Sequence, residues 1–136
     1  MNPEGIQTML TVRTKIGPSK IAGIGLFADE PITKGAVVWK LNPLIDTLLT
    51  KEQADTLSVS SKEQFYNYAY LDKKYGKYLL CGDDGRFFNH SSDSNCDETM
   101  ADQTTALRDI AKGEELTVNY GEFYGNKEEH PEIRSS

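Results

Sequence analysis

Apolar residues in this chain come only in short runs, and each run is cut by a glycine, a proline or a polar cluster before it could fill a long helix. Ile21 to Ala28 carries Gly23 and Gly25, and Pro31 with Lys34-Gly35 ends it. Ala36 to Leu41, which includes Trp39, stops at Asn42-Pro43. Such punctuation favours short strands joined by turns. Met9 to Ile16 alternates enough for a strand before a turn at Gly17-Pro18-Ser19. Leu44 to Leu49, Tyr78 to Cys81, Thr104 to Ile110 and Glu115 to Tyr120 read as further strands, with a turn at Lys112-Gly113 between the last two. Helical signals are confined to the middle. Thr50 is placed to cap a short helix through Lys51, Glu52 and Gln53, and Ser60 or Ser61 to cap a second running through Phe65, Tyr66 and Tyr68-Ala69-Tyr70. The expected fold is mainly β, built of short strands with one helical insert.

With 136 residues the chain reads as one domain, long enough to bury a core without metal or disulfide staples. Its charge is uneven. Residues 81–136 hold five Lys/Arg against thirteen Asp/Glu and supply more than the whole net charge of −6. That surface is expected to repel nucleic acid; it reads either as a solvated acidic face or as an attractor of basic proteins. The N-terminus has no apolar leader and no window has the length of a membrane span, so a cytoplasmic protein without membrane contact is expected. Cys81 and Cys96 are then expected to be free thiols.

Three segments carry the candidate chemistry. Gly23-Ile24-Gly25-Leu26-Phe27-Ala28, with Asp46 further on, formally fits a dinucleotide fingerprint, but Pro31, Gly35 and Val37-Val38 leave no room for the helix that motif needs. The glycines can instead bring backbone close to a ligand. Arg86-Phe87-Phe88-Asn89-His90-Ser91-Ser92-Asp93-Ser94-Asn95 is dense in hydrogen-bonding groups. Its two phenylalanines anchor one end in a core, and Asn89-His90 is costly to bury without a partner. A Ser-His-Asp reading of this stretch fails, because triad members meet from separate segments and no nucleophile elbow is present. His90, His130, Cys81 and Cys96 lack metal-ligand spacing, so no metal is expected. The third segment, Gly113-Glu114-Glu115-Leu116-Thr117-Val118-Asn119-Tyr120-Gly121, is a turn and a strand ending in an aromatic residue.

Taken together, in order and spacing, these three segments resemble the SET domain of protein-lysine methyltransferases over roughly residues 8–124, leaving 125–136 as a polar tail of a single domain 1–136. The resemblance implies a β-clip fold of several small sheets whose C-terminal motif threads past the Asn-His loop in a pseudoknot. It also implies S-adenosyl-L-methionine as cofactor and a lysine in a basic protein, histone-like or ribosomal, as the methyl acceptor. Carried over by position, Ile24, Gly25 and Leu26 approach the cofactor's methionine portion. Asn89 and His90 bind the cofactor, Arg86 and Phe87 shape its pocket, and a C-terminal aromatic, Phe123 or Tyr124, packs on the adenine. Tyr120 matches the catalytic tyrosine. Tyr68, Tyr70 and Val118 fall where the lysine channel is lined.

Ser92 and Ser94 stand where many relatives have Cys and Pro, and the cysteine-rich flanks of many eukaryotic members are absent. The chain is similar in this to minimal SET proteins of viruses and bacteria, some of which dimerise, so a homodimer is among the implied partners. A histone substrate would imply a nuclear or host-cell site of action. Two rival readings are a SET module that binds cofactor or basic peptide without turnover, and a β-rich structural protein with fortuitous motifs.

Overall fold

The computed structural model describes residues 9–72, 75–98 and 103–119. Within them, eleven short strands form four small sheets around two helices and one 3-10 turn. The mainly β architecture expected from the short apolar runs is what the chain adopts.

The largest sheet is antiparallel and holds β1 (Met9–Leu10), β4 (Val37–Lys40), β10 (Gln103–Ala106) and β9 (Cys96–Asp97), in that spatial order with β4 and β10 central. A second sheet is the hairpin of β2 (Thr14–Pro18) and β3 (Ile24–Ala28), paired in register from Thr14↔Ala28 to Pro18↔Ile24. A third holds β5 (Thr47–Leu49), β7 (Lys77–Leu80) and β6 (Tyr70–Asp72), with β7 in the middle. The fourth is a parallel pair, β8 (Asn89–His90) with β11 (Thr117–Val118). Parallel neighbours need a crossover between them. Here the crossover is the β9–β10 excursion, which returns the chain to the place where the Asn89 segment lies.

The core joins these sheets through fully buried Leu26, Val38, Trp39, Leu79, Ile110, Leu116 and Val118. Phe65, Tyr66 and Tyr78 add an edge-on aromatic cluster with ring centroids 5.2–6.4 Å apart, each such contact worth about 1 kcal/mol beyond area burial. Cys81 and Cys96 are free and buried, as expected. Burial first, and then the nearby Asp46, Glu98 and Asp83, push the Cys81 thiol well up. Burial and Glu98 push Cys96 up to about 12. Both stay protonated at neutral pH and behave as small apolar core residues.

Several boundaries differ from the sequence reading. The expected strand Met9–Ile16 is two strands, and Gly17-Pro18 lies inside β2 rather than in a turn; proline is tolerated there because this hairpin strand has an outer edge. The reversal falls at residues 19–23, closed by Ser19 N–H donating to Gly23 O at 2.9 Å, with Gly23 at φ +47°. Thr50 caps the first helix, α1 (Lys51–Ala54), through the reciprocal capping box with Gln53. The second, α2 (Val59–Tyr68), is capped by Ser58, not Ser60 or Ser61: Ser58 is the extended residue and accepts from Ser61 N–H. It also ends before Tyr70, which is drawn into β6 by pairing with Leu79 on β7. Asp46 is a buried cap, accepting from the backbone N–H of Asn42 at 2.8 Å and of Gly82 at 2.7 Å, so the acidic residue of the apparent dinucleotide fingerprint has a structural role. Among the described residues no helix is long and apolar enough to cross a membrane.

Candidate active site

The three sequence motifs converge on the Asn89 side chain. Asn89 opens β8 and is fully buried. Its Nδ2 amide faces four acceptors: Glu115 Oε2 at 2.9 Å, Ala22 O at 3.1 Å, Ser19 Oγ at 3.2 Å and Ile24 O at 3.3 Å. One side chain therefore ties the middle motif to the glycine hairpin and to the C-terminal motif. Burying an amide costs free energy unless it is bonded, and these contacts offset that cost.

Each motif is held by backbone pairing as well. On one side of the segment ending in β11, Leu116 N–H donates to Leu26 O at 2.7 Å and Ala28 N–H to Glu114 O at 2.9 Å. On the other side lies β8, extended by Ser91 N–H donating to Val118 O at 3.0 Å. Beyond that, Asn95 stands in for a strand: its Oδ1 accepts from Thr117 N–H at 2.9 Å while its Nδ2 donates to Glu115 O at 2.8 Å. This strand thus lies between two earlier segments, bonded to each.

Gly25 is paired with Gly17 and buried beneath Glu115. A Cβ there would collide with the Glu115 carboxylate and come within 3.0 Å of Ser19 Cβ, so this is a close approach only glycine permits. Ile24 contributes its carbonyl while its side chain is exposed. Leu26 contributes its side chain to the core and its carbonyl to Leu116.

Arg86 sits near the end of the 3-10 helix Asp84–Phe87, which packs against β2 and β3. Its guanidinium donates to Cys81 O at 3.1 Å and, among the described residues, has no carboxylate partner. It faces a cavity of about 250 Å³ whose other walls are Leu57, Leu80 and one face of α2: Ser61, Gln64, Phe65 and Tyr68. Phe87 packs edge-on against Tyr68 with centroids 5.5 Å apart. Tyr68 therefore keeps company with Arg86 and Phe87, while Tyr70 is buried on β6 and is not on this cavity. Val118 is buried, and half-buried His90 is its partner across the parallel pair. Tyr120, Phe123 and Tyr124 lie outside the described residues. Among the described residues no group of three His, Cys, Asp or Glu is placed to hold a metal.

Ser19, Asn95 and Glu115 are the residues that sequence reasoning did not single out. Each carries a signal only in retrospect: a serine at a hairpin turn, an asparagine in a polar loop, and one of two adjacent glutamates ahead of a strand.

Residues 23–121 match the family model of the SET domain. The chain belongs to the SET domain family. N-lysine methyltransferase KMT5A-A of Danio rerio is 30% identical over 125 residues, which are 82% of this SET chain and 36% of that protein. The chain thus spans little more than a third of the curated relative it matches. Among solved structures, Chaetomium thermophilum Polycomb Repressive Complex 2, in an autoinhibited conformation bound to S-adenosylmethionine, aligns with a TM-score of 0.62 at 25% identity, over 88% of this chain and 16% of that one. The Neurospora SET domain protein DIM-5, a histone lysine methyltransferase, shares the fold with a TM-score of 0.58 at 23% identity, over 87% and 55% of the two chains.

Proposed function

We propose that this SET chain is an S-adenosyl-L-methionine-dependent protein-lysine N-methyltransferase acting on a basic protein, of histone or ribosomal type. The observation that carries the reading is the convergence on buried Asn89 of the glycine hairpin and the segment leading to Tyr120. Among the described residues the Arg86 guanidinium has no carboxylate partner, and it faces a cavity of mixed polar and apolar lining. Arg86 fits a carboxylate such as the one at the cofactor's amino-acid end, and the family resemblance assigns the backbone at Ile24 and Gly25 to the same part of the cofactor. When bound, the cofactor supplies a methyl group made electrophilic by its sulfonium.

The chain's own residues have two tasks. The first is to present a neutral amine. A free lysine, with a pKa of about 10.4, is neutral in only about one molecule per few thousand at pH 7, and a dry channel lined by Tyr70 and Val118 disfavours the ammonium. Its proton leaves to solvent before transfer. The second is alignment: the channel holds the amine in line with the methyl group, and the Tyr120 hydroxyl orients it. The acidic second half of the chain attracts the basic substrate over longer range.

A labelled methyl-transfer assay on histones and ribosomal proteins tests the reading, and lysine-specific incorporation is the expected result. Calorimetric binding of S-adenosylhomocysteine without any transfer would favour the rival, a non-catalytic cofactor-binding module. No binding at all would remove the cofactor from the account. Within the proposed site, Arg86→Met is expected to weaken S-adenosylhomocysteine roughly ten- to a hundredfold, the usual range for losing a charge-assisted hydrogen bond. Unchanged affinity would move the carboxylate elsewhere.

A further inference from the structure

Leu26 and Ala28 anchor the far end of the hairpin that carries Gly25 in the core, but its turn end is not held by apolar residues. Ile16, Ile21 and Ile24 remain 44%, 41% and 46% exposed, and a two-stranded ribbon is marginal by itself. What grips its tip is a polar cluster drawn from three distant segments. Ser19 Oγ donates to the Glu115 carboxylate, lying 2.9 Å from both oxygens. Three donors lie within reach of the same oxygen's two lone pairs: Ile21 N–H at 2.9 Å, Asn89 Nδ2 at 3.2 Å and Ala22 N–H at 3.3 Å. Glu115 in turn is pinned by its own antiparallel bridge to Phe27 and by its position over Gly25.

We propose that Ser19 is a positioning residue, latched to Glu115, which sets the backbone at residues 22–25 for cofactor binding. This rests on the cofactor reading above. Without the hydroxyl, the turn loses the acceptor for two backbone N–H groups and its tie to the C-terminal segment at once. The carbonyls of Ala22 and Ile24 then keep Asn89, and the turn keeps its Ser19 N–H to Gly23 O bond, but the tie to Glu115 is gone. Because the bonds of Ser19 run to the hairpin turn, Asn89 and Glu115, its loss is expected to fall on cofactor affinity rather than on the transfer step.

The test compares Ser19→Ala and Ser19→Thr with the wild type, by calorimetry with S-adenosylhomocysteine and by steady-state kinetics. Ser19→Ala is expected to raise both the Kd for S-adenosylhomocysteine and the KM for S-adenosylmethionine roughly ten- to a hundredfold, as loss of a hydrogen bond to a charged group does. The KM for the protein substrate and kcat at saturating cofactor stay near wild type, and Ser19→Thr, which keeps the hydroxyl, restores cofactor affinity. Wild-type cofactor affinity in Ser19→Ala overturns the proposal. So does a fall in kcat and in the urea midpoint together with a rise in both KM values, which marks a merely structural serine. Should Ser19→Ala not fold, Glu115→Gln, isosteric but uncharged, is expected to shift cofactor affinity in the same direction, and no shift overturns the latch. A wild type that binds no S-adenosylhomocysteine removes the cofactor reading itself and the latch with it, a result distinguishable from failure of the variants alone.

Discussion

Truncating Asn95 to alanine is expected to destabilise the protein by about 3 kcal/mol or more, since each buried polar group left unsatisfied costs roughly 1–3 kcal/mol. The side chain is 3% exposed and makes both bonds of a strand edge, accepting from Thr117 N–H and donating to Glu115 O. Thr117 is itself buried, so water has no ready route to replace the lost bonds. Against a typical domain stability of about 5–15 kcal/mol, such a loss is a large share. Asn95→Asp makes the argument sharper. Aspartate can still accept from Thr117 but cannot donate, and it sets a carboxylate against the Glu115 carbonyl. Both variants should lower the urea midpoint with little change in slope. If Asn95→Asp matched the wild type, the side chain could not be acting as a surrogate strand.

Removing the Tyr120 hydroxyl is expected to act on turnover instead. Tyr120→Phe should lower kcat about a hundredfold or more, the scale seen when one aimed donor is lost from a preorganised site. S-adenosylhomocysteine affinity should stay near wild type, because the proposed cofactor contacts come from Asn89, Arg86 and the glycine hairpin. Single-turnover methyl transfer measured beside calorimetry separates the two quantities. A phenylalanine variant with near-normal turnover would remove Tyr120 from the chemistry and turn attention to the other aromatics near the channel.

Much of the fold was legible because its signals are local. The Thr50 capping box needs only Gln53 three residues on, and it forms as read. The glycine-broken run could not open a helix, and β3 stands where the dinucleotide fingerprint required one. Errors arose where a local preference was decided by a distant partner. Tyr70 follows a helical pattern, yet pairing with Leu79 draws it into β6. Gly17-Pro18 looks like a turn but continues β2, because the register with Gly25 and Ile24 extends that far.

The same division runs through the site. Residue types and their order along the chain brought Gly25 and Asn89 forward as candidates, since close backbone approach and a buried amide each depend on side-chain identity. Which groups meet was decided only by the tertiary structure. Ser19 and Glu115, 96 positions apart, share a hydrogen bond, and Asn95 bridges to a strand more than 20 residues away. Hydrogen bonds act over about 3 Å. Partners so far apart in the chain are set by how the sheets close on one another, which no local pattern encodes.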